Sequence, residues 1–256
     1  MTPRLEAPWF GADDSVYARM ARVLEYTARQ HCPDWRVNVE RVTVETMRKH
    51  RQAVESHRFN TQKMVTWARV VGEARDGECI ALLDADTFIA RPLDPIWDQD
   101  FDLAYTAKQS RFPFNSGVVF VRVNDKTRRF FSEWEAVNRK MLVSGEHHMR
   151  WRAKYGGINQ AALGQMLETG LAQRMDILPV PCVEWNCEDS AWVNFDPDMT
   201  RIVHVKSKLR MAVFETKGRV FGPHIAGLAE MWHELEGEAE GGRIKAVHVD
   251  WNGASR

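Results

Sequence analysis

The sequence predicts a single α/β domain in which a mixed, mainly parallel sheet is flanked by helices. Apolar runs of strand length alternate with stretches of helical periodicity through the first half of the chain, which is the order typical of a parallel sheet. The most informative run is Ile80–Leu83, where four apolar residues stop abruptly at Asp84 and Asp86. Such a run is typical of a strand buried on both faces. A chain of 256 residues has the length of one large domain.

The elements before this run follow the same alternation. Asp14 or Ser15 can cap a helix whose apolar residues keep helical spacing, and Pro33 ends it because the residue before proline avoids the helical region. We expect a first strand at Ala7–Gly11, a helix that ends near Cys32, a second strand at Arg36–Val44 and a helix at Phe59–Ala74.

The elements after the run are less regular. We expect a proline-marked turn at Pro92–Trp97, strands at Phe101–Ala107 and Val118–Val121, and an amphipathic helix from Asp125 to Met141. Residues 143–156 are polar and basic and predict a loop. There follow a helix at Ile158–Leu167, an edge strand or irregular segment at Ile177–Val183, a strand at Arg201–Val205 and a helix at Pro223–Leu235. The predicted domain spans 1–235, and 236–256 forms a tail with a strand-like piece at Ile244–Val249.

Composition excludes several classes of function. Lys+Arg and Asp+Glu both number 35, so the chain lacks the basic excess of a nucleic-acid-binding protein. No apolar run reaches the ~18 residues of a transmembrane segment. The N-terminus shows no apolar secretory signal. We therefore expect a cytoplasmic protein with reduced cysteines, with peripheral attachment to a membrane as an alternative location.

Asp84 and Asp86 are the first candidate site residues. Ligands of open α/β sheets bind beyond the carboxyl ends of the strands, and these two carboxylates follow such an end. Oxygen ligands suit a hard divalent cation, and a cation held by two carboxylates keeps open positions for a diphosphate. The alternative is an ordinary acidic turn, because loops are polar and solvated.

Two amide-rich segments extend the candidate site. Asn115 and Ser116 offer polar groups for sugar hydroxyls, and Gly117 allows close approach of the backbone to a ligand. Asn159 and Gln160 open a helix behind two glycines, and ligands often bind at helix N-termini. The alternatives are a common turn before a strand for the first segment and amide capping of the helix for the second.

A histidine on a late strand could complete the metal site. His204 would suit a borderline metal such as manganese as a third ligand beside two carboxylates. Lys206 and Lys208 follow it and would neutralise a diphosphate leaving group. Most histidines are not ligands, so a simple buried or surface histidine is the alternative.

Taken in order, these segments resemble the nucleotide-sugar glycosyltransferases of the GT-A (Rossmann-like) fold, in particular the family that includes the bacterial galactosyltransferases and glycogenin. The resemblance runs from about Phe10 to Arg210 and rests on LLDADTFIARPLDPIWD, FNSGVVFVR, INQAAL and IVHVKSK. It implies metal-dependent transfer of a hexose from a nucleoside-diphosphate sugar to an acceptor hydroxyl, with retention of configuration. It also implies that a UDP-sugar is the favoured donor and Mn²⁺ is favoured over Mg²⁺. The acceptor could be a saccharide, a glycolipid or a protein.

The resemblance assigns roles residue by residue. The metal ligands would be Asp84, Asp86 and His204; the donor-binding residues Asp84, Asn115, Ser116, Gly117, Lys63, Lys206 and Lys208; and the catalytic residues Gln160, Asn159 and Asp86.

The chain departs from the family at two points. Asn159 stands where the family has an aspartate. The cations Lys206, Lys208 and Arg210 follow the histidine more closely than the family's Lys-Pro-Trp does, which leaves open which of them meets the diphosphate.

Three alternatives remain open from the sequence. A domain that binds sugar nucleotides without turnover is compatible with the missing carboxylate at Asn159. A phosphatase of the haloacid dehalogenase type also begins with Asp-x-Asp, but its motif has one more residue before the threonine. An inverting transferase would need a base, for which Glu184, Glu188 and Asp189 are candidates.

Overall fold

The structure, a computed structural model, describes residues 2–42, 54–170, 172–215 and 220–241. Within these residues, eight strands and eight α-helices are joined by turns and short 3₁₀ segments. The strands are β1 (Arg4–Trp9), β2 (Arg36–Arg41), β3 (Cys79–Leu83), β4 (Thr87–Ile89), β5 (Leu103–Ala107), β6 (Phe114–Arg122), β7 (Ile177–Pro181) and β8 (Ile202–His204). The helices are α1 (Val16–His31), α2 (Glu55–Glu73), α3 (Asp125–Val143), α4 (Gly145–Tyr155), α5 (Ile158–Glu168), α6 (Cys182–Trp185), α7 (Ser207–Phe214) and α8 (Pro223–Gly241).

A six-stranded mixed sheet in the order β2-β1-β3-β6-β5-β7 forms the centre of the fold. β1 runs parallel to β2 and β3, and β5 runs parallel to β7. β6 is antiparallel to its neighbours β3 and β5. The predicted mixed, mainly parallel sheet is therefore confirmed. A separate two-stranded antiparallel sheet joins β4 to β8.

The central strand β3 is buried on both faces, as its apolar run predicts. Ile80 and Leu82 point into a core formed with α2, α3 and α5. Ala81 and Leu83 point into a second core on the opposite face, which includes Leu24 of α1. The strand therefore runs between two apolar layers, and its polar continuation emerges only at its carboxyl end.

A third apolar cluster lies around the small sheet. It joins Phe88 of β4 and Val203 of β8 to Leu209 of α7 and Trp232 of α8. The C-terminal part of the described chain thus packs against the small sheet rather than against β3.

The predicted loop at 143–156 is wrong, because α4 occupies Gly145–Tyr155. The Ser144 side chain caps this helix by accepting a hydrogen bond from the backbone N–H of His147 (3.3 Å), and the helix ends at Gly156, whose φ is +88°. Among its residues only His148 and Tyr155 are buried, so the sequence carries little apolar periodicity.

Other boundaries also differ from the prediction. β4 and α7 were not predicted, because three and eight residues respectively give weak patterns. α8 continues past Leu235 to Gly241, since Arg19 of α1 holds Glu236 through a hydrogen bond of 2.7 Å. β2 ends at Arg41, and both its predicted end at Val44 and the strand-like piece Ile244–Val249 lie outside the described residues. The division between a domain and a tail at residue 235 stays a prediction.

The cysteines and the helices match the expectations from composition. All four cysteines are buried and unpaired, and burial raises the pKa of Cys32, Cys182 and Cys187 to about 12. These thiols are therefore poor nucleophiles. Among the described residues, no helix is both long enough and apolar enough to cross a bilayer.

Candidate active site

Two aspartates and a histidine from distant parts of the chain converge beyond the end of β3. One ligand atom each from Asp84, Asp86 and His204 lie within 4.8 Å of one another. His204 Nε2 is 3.1 Å from Asp86 Oδ1 and 3.9 Å from Asp84 Oδ2. The three predicted metal ligands therefore share one place in the fold.

The small sheet is what brings His204 to the aspartates. The chain turns after β3, where the Thr87 hydroxyl donates a 2.8 Å hydrogen bond to the Asp84 carbonyl oxygen. Thr87 then pairs with His204 across β4 and β8. One residue further on, the Val205 N–H donates to the Asp86 carbonyl oxygen at 2.7 Å. A three-residue ladder thus fixes the position of the histidine beside the Asp-x-Asp turn.

Gly117 lies against this cluster because β6 is irregular at this point. The pairing of β5 with β6 shifts register between Tyr105 and Thr106, so that residues next to Gly117 bulge out of the ladder. The Gly117 carbonyl oxygen accepts a 2.7 Å bond from the Asp84 N–H. A Cβ on Gly117 would lie 2.7 Å from Asp84 Oδ2 and 2.7 Å from His204 Cε1. Only glycine leaves the space between these side chains open.

Two cations pair with the aspartates. Lys63 of α2 forms a salt bridge with Asp84, and its Nζ lies 4.5 Å from the centroid of the Trp67 ring. Arg210 of α7 forms a salt bridge with Asp86. Burial alone would raise the pKa of the Asp86 carboxyl, but the charges of His204 and Arg210 outweigh it and hold that pKa well below its usual range. Asp86 is therefore a carboxylate at neutral pH.

Lys206 and Lys208 occupy different environments from Arg210. Lys206 forms salt bridges with the buried Glu188 and with Asp189, whereas the Lys208 side chain is exposed. Glu188 also pairs with Lys108. Burial would raise the pKa of Glu188, but the two lysines lower it to about 2. Lys206 is thus already paired with carboxylates. Of the three cations that follow His204 in the sequence, Arg210 is the one that contacts the acidic cluster, the name we use for Asp84 and Asp86.

Gln160 is held in place by backbone oxygens. Its amide nitrogen donates to the carbonyl oxygens of Phe114 and Tyr155, both at 2.9 Å. This fixes the side chain next to the segment that carries Asn115 and Ser116, which are themselves buried in β6. The three predicted residues therefore lie close together in the fold.

Asn159 belongs to a buried network of neutral amides. It accepts a 2.6 Å hydrogen bond from the Asn138 side chain and donates a longer one, 3.4 Å, to Asn60 Oδ1. Asn138 in turn accepts from the Thr61 hydroxyl at 2.6 Å. A carboxylate in this position would lose the donor group that reaches Asn60, so the amide suits its surroundings.

A pocket of about 480 Å³ opens onto the acidic cluster. Lys63, Asp84, Asp86 and Arg210 line its charged end. Aromatic side chains also line it, among them Phe10 and Phe59, whose ring centroids are 5.4 Å apart, together with the polar residues Glu55, Ser56 and Asn60. We call this cavity the carboxylate pocket. Charged groups at one end and aromatic rings at the other suit a ligand with an anionic and a planar part.

The cluster could hold a divalent cation. Two carboxylates and an imidazole are ligands suited to a hard or borderline metal. The absence of a side chain at Gly117 keeps their meeting point clear. Lys63 and Arg210 show that the carboxylates already attract positive charge.

Sequence reasoning left two features of this site unassigned. Arg210 was noted only as one of three cations, and its spacing from His204 gave no means to choose among them. Asn186, whose Oδ1 lies 3.0 Å from His204 Nδ1, was not singled out. It stands between Trp185 and Cys187, and the sequence gives no sign that the amide is fully buried, which is what marks Asn186 in the structure.

Comparison with known proteins gives a family and a fold. The sequence profile of a family described as nucleotide-diphospho-sugar transferase matches residues 80–251. No curated protein matches the chain in sequence.

Several solved structures resemble the chain. A glycosyltransferase involved in the glycosylation of the major capsid of PBCV-1 superimposes with a TM-score of 0.56 at 13% identity, over 94% of this chain and 100% of that one. The apo form of the glycosyltransferase GlyE of Streptococcus pneumoniae TIGR4 gives 0.57 at 12% identity, over 92% of this chain and 60% of GlyE. The galactosyltransferase LgtC, in complex with donor and acceptor sugar analogs, gives 0.50 at 14% identity, over 98% and 99%. Likeness at such low identity establishes the shared GT-A fold.

Proposed function

The chain belongs to the nucleotide-diphospho-sugar transferase family and is an enzyme of the glycosyltransferase class; we propose that it transfers a hexose from a nucleoside-diphosphate sugar to an acceptor hydroxyl, with a divalent cation bound by Asp84, Asp86 and His204. The observation that carries the proposal is the convergence of these three side chains within 4.8 Å, two of which, Asp84 and Asp86, line the carboxylate pocket. The family membership favours this reaction over the phosphatase that the Asp-x-Asp motif alone allows.

The charged end of the pocket suits the diphosphate. Departure of a nucleoside diphosphate builds negative charge on its oxygens, and fixed positive groups at that point lower the barrier. A bound cation would supply Lewis-acid stabilisation of that charge. Arg210 lines the same end and would add a guanidinium, whose planar donors match phosphate oxygens. Both cations are paired with carboxylates, Arg210 with Asp86 and Lys206 with Glu188 and Asp189. We assign the diphosphate contact to Arg210 because it lines the pocket, whereas Lys206 is not among the lining residues.

The aromatic end of the pocket suits the nucleobase. Phe10 and Phe59 line it, whereas Tyr17 lies against Arg210 of the charged end, whose Nη1 donates a 3.2 Å hydrogen bond to the Tyr17 hydroxyl. Planar rings bind a base by stacking, as they do in single-stranded nucleic-acid sites. We favour a uracil base, as the family resemblance implies.

The amides near the reacting sugar support retention of configuration. Gln160 and Asn159 carry no charge, and Glu188, the most buried of the candidate bases, is bound by Lys108 and Lys206. A front-face attack guided by the leaving phosphate needs no protein nucleophile or base. We therefore propose a retaining transfer in which Gln160, fixed through Phe114 and Tyr155, contacts the sugar.

Manganese is the cation that the ligand set favours over magnesium. Mg²⁺ demands oxygen ligands in near-ideal octahedral geometry, whereas an imidazole nitrogen suits transition metals. Thermal shift with Mn²⁺ and with Mg²⁺, each at matched concentrations, tests this preference.

The function itself is tested with a panel of sugar nucleotides. UDP-, GDP-, ADP- and dTDP-hexoses are incubated with the protein and Mn²⁺, and slow hydrolysis of the donor is followed by release of the nucleoside diphosphate. We expect one donor to raise the melting temperature and to be hydrolysed with retention, and excess chelator to stop hydrolysis. We expect Asp86→Asn to lower the rate about 100-fold or more while it keeps the wild-type circular dichroism spectrum.

Three kinds of result would overturn the proposal. Full hydrolysis by Asp86→Asn or in excess chelator would exclude metal-assisted transfer. Tight binding of a sugar nucleotide without any turnover over hours would leave a binding domain, and release of phosphate from simple phosphoesters would favour a phosphatase.

A further inference from the structure

We propose that Asn186 and Thr106 are positioning residues that set the tautomer and the orientation of His204, so that the lone pair of Nε2 faces Asp84 and Asp86. The inference rests on the proposed function only in that it takes His204 as a metal ligand. A chain of buried hydrogen bonds, whose direction is fixed from one end, joins Thr106, Asn186 and His204.

The chain begins at a group that can only accept. The carbonyl oxygen of Asn115 lies 2.9 Å from Thr106 Oγ1, and both groups are buried. A threonine hydroxyl has one hydrogen, so Thr106 uses it to donate to this carbonyl. The Thr106 oxygen is then left as an acceptor towards its next neighbour.

That next neighbour is the Asn186 side chain, at 2.9 Å from Thr106 Oγ1. Since Thr106 accepts here, the group that faces it is the Asn186 amide nitrogen. The other end of the planar amide, Oδ1, consequently faces His204 Nδ1 at a distance of 3.0 Å. An amide oxygen only accepts, so the hydrogen of this bond belongs to Nδ1.

A neutral imidazole carries one hydrogen, so the Nδ1–H form leaves Nε2 with a free lone pair. Nε2 is the nitrogen that lies 3.1 Å from Asp86 Oδ1 and 3.9 Å from Asp84 Oδ2. Histidines that bind metals generally donate their second ring hydrogen to a fixed acceptor, which sets the tautomer and orients the ring. Asn186 fills that role here through its hydrogen bond to Nδ1, although the hydrogen bonds of Asn186 and Thr106 do not reach Asp84 or Asp86.

The backbone holds each member of this network in place. The Cys187 N–H donates to the Ile202 carbonyl oxygen at 2.8 Å, and the His204 N–H donates to the Cys187 carbonyl oxygen at 2.9 Å. The segment with Asn186 therefore lies alongside β8, and its position relative to His204 is fixed by these backbone hydrogen bonds. Asn186 is 0% exposed and His204 3% exposed, so water does not compete for the bond between them.

The test uses two readouts and matched variants. Mn²⁺ affinity of the unliganded protein is measured by electron paramagnetic resonance of free Mn²⁺, which does not depend on turnover. We expect Asn186→Leu and Thr106→Val to weaken Mn²⁺ binding about 10- to 100-fold, the range found when such supporting partners of metal ligands are removed. Asn186→Asp keeps an acceptor for Nδ1–H and should retain most of the affinity.

Thr200→Val is the matched control. Thr200 is also fully buried and also donates to a backbone carbonyl, that of Val183 at 3.1 Å, but it does not belong to the network. We expect this variant to lower the melting temperature about as much as Thr106→Val and to leave Mn²⁺ affinity unchanged.

The second readout reports the tautomer without metal. Long-range ¹H–¹⁵N spectra of the metal-free protein are recorded, with His204 assigned from a His204→Gln variant. We expect a hydrogen on Nδ1 in wild type, whether or not Nε2 also carries one towards Asp86, and partial loss of the Nδ1 hydrogen in Thr106→Val.

The outcomes distinguish a failure of the proposed function from a failure of the positioning role of Asn186 and Thr106. If the wild type binds no Mn²⁺, the proposed function fails, and the spectra still decide the tautomer. If the wild type binds Mn²⁺ but Asn186→Leu and Thr106→Val bind it equally well, or if Nδ1 of the wild-type ring carries no hydrogen, the positioning role is excluded.

Discussion

Gly117 is the residue at which the candidate site tolerates least change. A methyl group there would meet Asp84 Oδ2, His204 Cε1 and Asn115 Oδ1 at 2.7 to 2.8 Å, closer than real Cβ contacts come. The atoms in the way belong to the candidate metal ligands Asp84 and His204 and to the Asn115 side chain, whose Oδ1 itself accepts a 2.6 Å hydrogen bond from the Gly117 N–H. The site cannot absorb the methyl without separating its ligands.

We therefore expect Gly117→Ala to weaken Mn²⁺ binding about tenfold or more and to cost about 1–3 kcal/mol of unfolding free energy, as overpacking does. Gly72→Ala is the control, because Gly72 lies in α2 with open space around its Cβ position and should gain about 0.5–1 kcal/mol. Urea unfolding and Mn²⁺ titration measure the two effects. Wild-type Mn²⁺ affinity in Gly117→Ala would mean that the ligands do not close around this point.

Arg210 and Lys208 provide a contrast between two cations on one helix. Arg210 contacts Asp86 and lines the carboxylate pocket, while Lys208 is exposed on α7. We expect Arg210→Ala to lower kcat/KM for donor hydrolysis about 100-fold, as the loss of a group that stabilises transition-state charge does, and Lys208→Ala to change it little. The reverse order would assign the diphosphate contact to Lys208, as the sequence alone allowed.

The site residues differ in how much of the sequence is needed to recognise their role. Asp84 and Asp86 could be predicted because an apolar strand and two carboxylates within seven residues form a local pattern. Asn186 and Arg210 could not be predicted, because the role of each depends on a partner far away in the sequence. The partner of Asn186 is His204, 18 positions away, and the partner of Arg210 is Asp86, 124 positions away. A single sequence gives no sign of such pairs.

At the scale of elements, α2 and α4 meet at two histidine rings. His57 and His148 pack edge to face with their centroids 4.8 Å apart, and His148 Nε2 is buried without a hydrogen-bond partner. Burial lowers the pKa of His148 to about 4, and the nearby His57 and Arg152 add to the effect. The folded protein therefore keeps this ring neutral at a pH at which the unfolded chain would protonate it.

The sign of the pH effect follows from the proton balance. Between about pH 6.5, the usual histidine value, and pH 4, the unfolded chain binds more protons than the folded one, so stability falls as the pH falls. For His148 alone we expect a loss of about 2 kcal/mol between pH 7 and pH 5.

Replacement of the ring should remove this slope. We expect His148→Phe to be less sensitive to the same change in pH, measured by urea unfolding at pH 7 and pH 5. His224→Gln is the control, because His224 is exposed on α8 and should leave the wild-type slope unchanged. Equal slopes in His148→Phe and wild type would show that the ring is not kept neutral by the fold.

The elements also show why some were predicted and others were not. β3 was found because all five of its residues are buried and apolar. α4 was missed because it buries only His148 and Tyr155, and β4 because three residues are too few for periodicity to appear. β8, in contrast, lies within the predicted strand Arg201–Val205. The pairing of β4 with β8, which places His204, was not predicted, so the sequence could name the three candidate ligands but not how the chain brings them together.

At the scale of the whole molecule, the small sheet depends on the C-terminal helices. Phe88 and Val203 of β4 and β8 share one apolar cluster with Trp232 of α8. Trp232 is 1% exposed and packs edge to face on Phe214 of α7 at 4.9 Å. The two aspartates, in contrast, follow a strand that lies between the other two clusters. The position of His204 relative to the aspartates is thus set by packing between separate parts of the core.

This arrangement predicts that a cavity in the third cluster weakens Mn²⁺ binding more than a cavity of similar stability cost in another cluster. Trp232→Ala and Phe131→Ala each remove a fully buried ring, and each should cost about 3–5 kcal/mol. Phe131 lies in the cluster of α2, α3 and α5. With Mn²⁺ affinity measured at a temperature at which both variants remain folded, we expect Trp232→Ala to lose several-fold more affinity than Phe131→Ala. Equal affinities at equal loss of stability would mean that the β4–β8 ladder alone holds His204, because the helices behind it would then contribute only to folding.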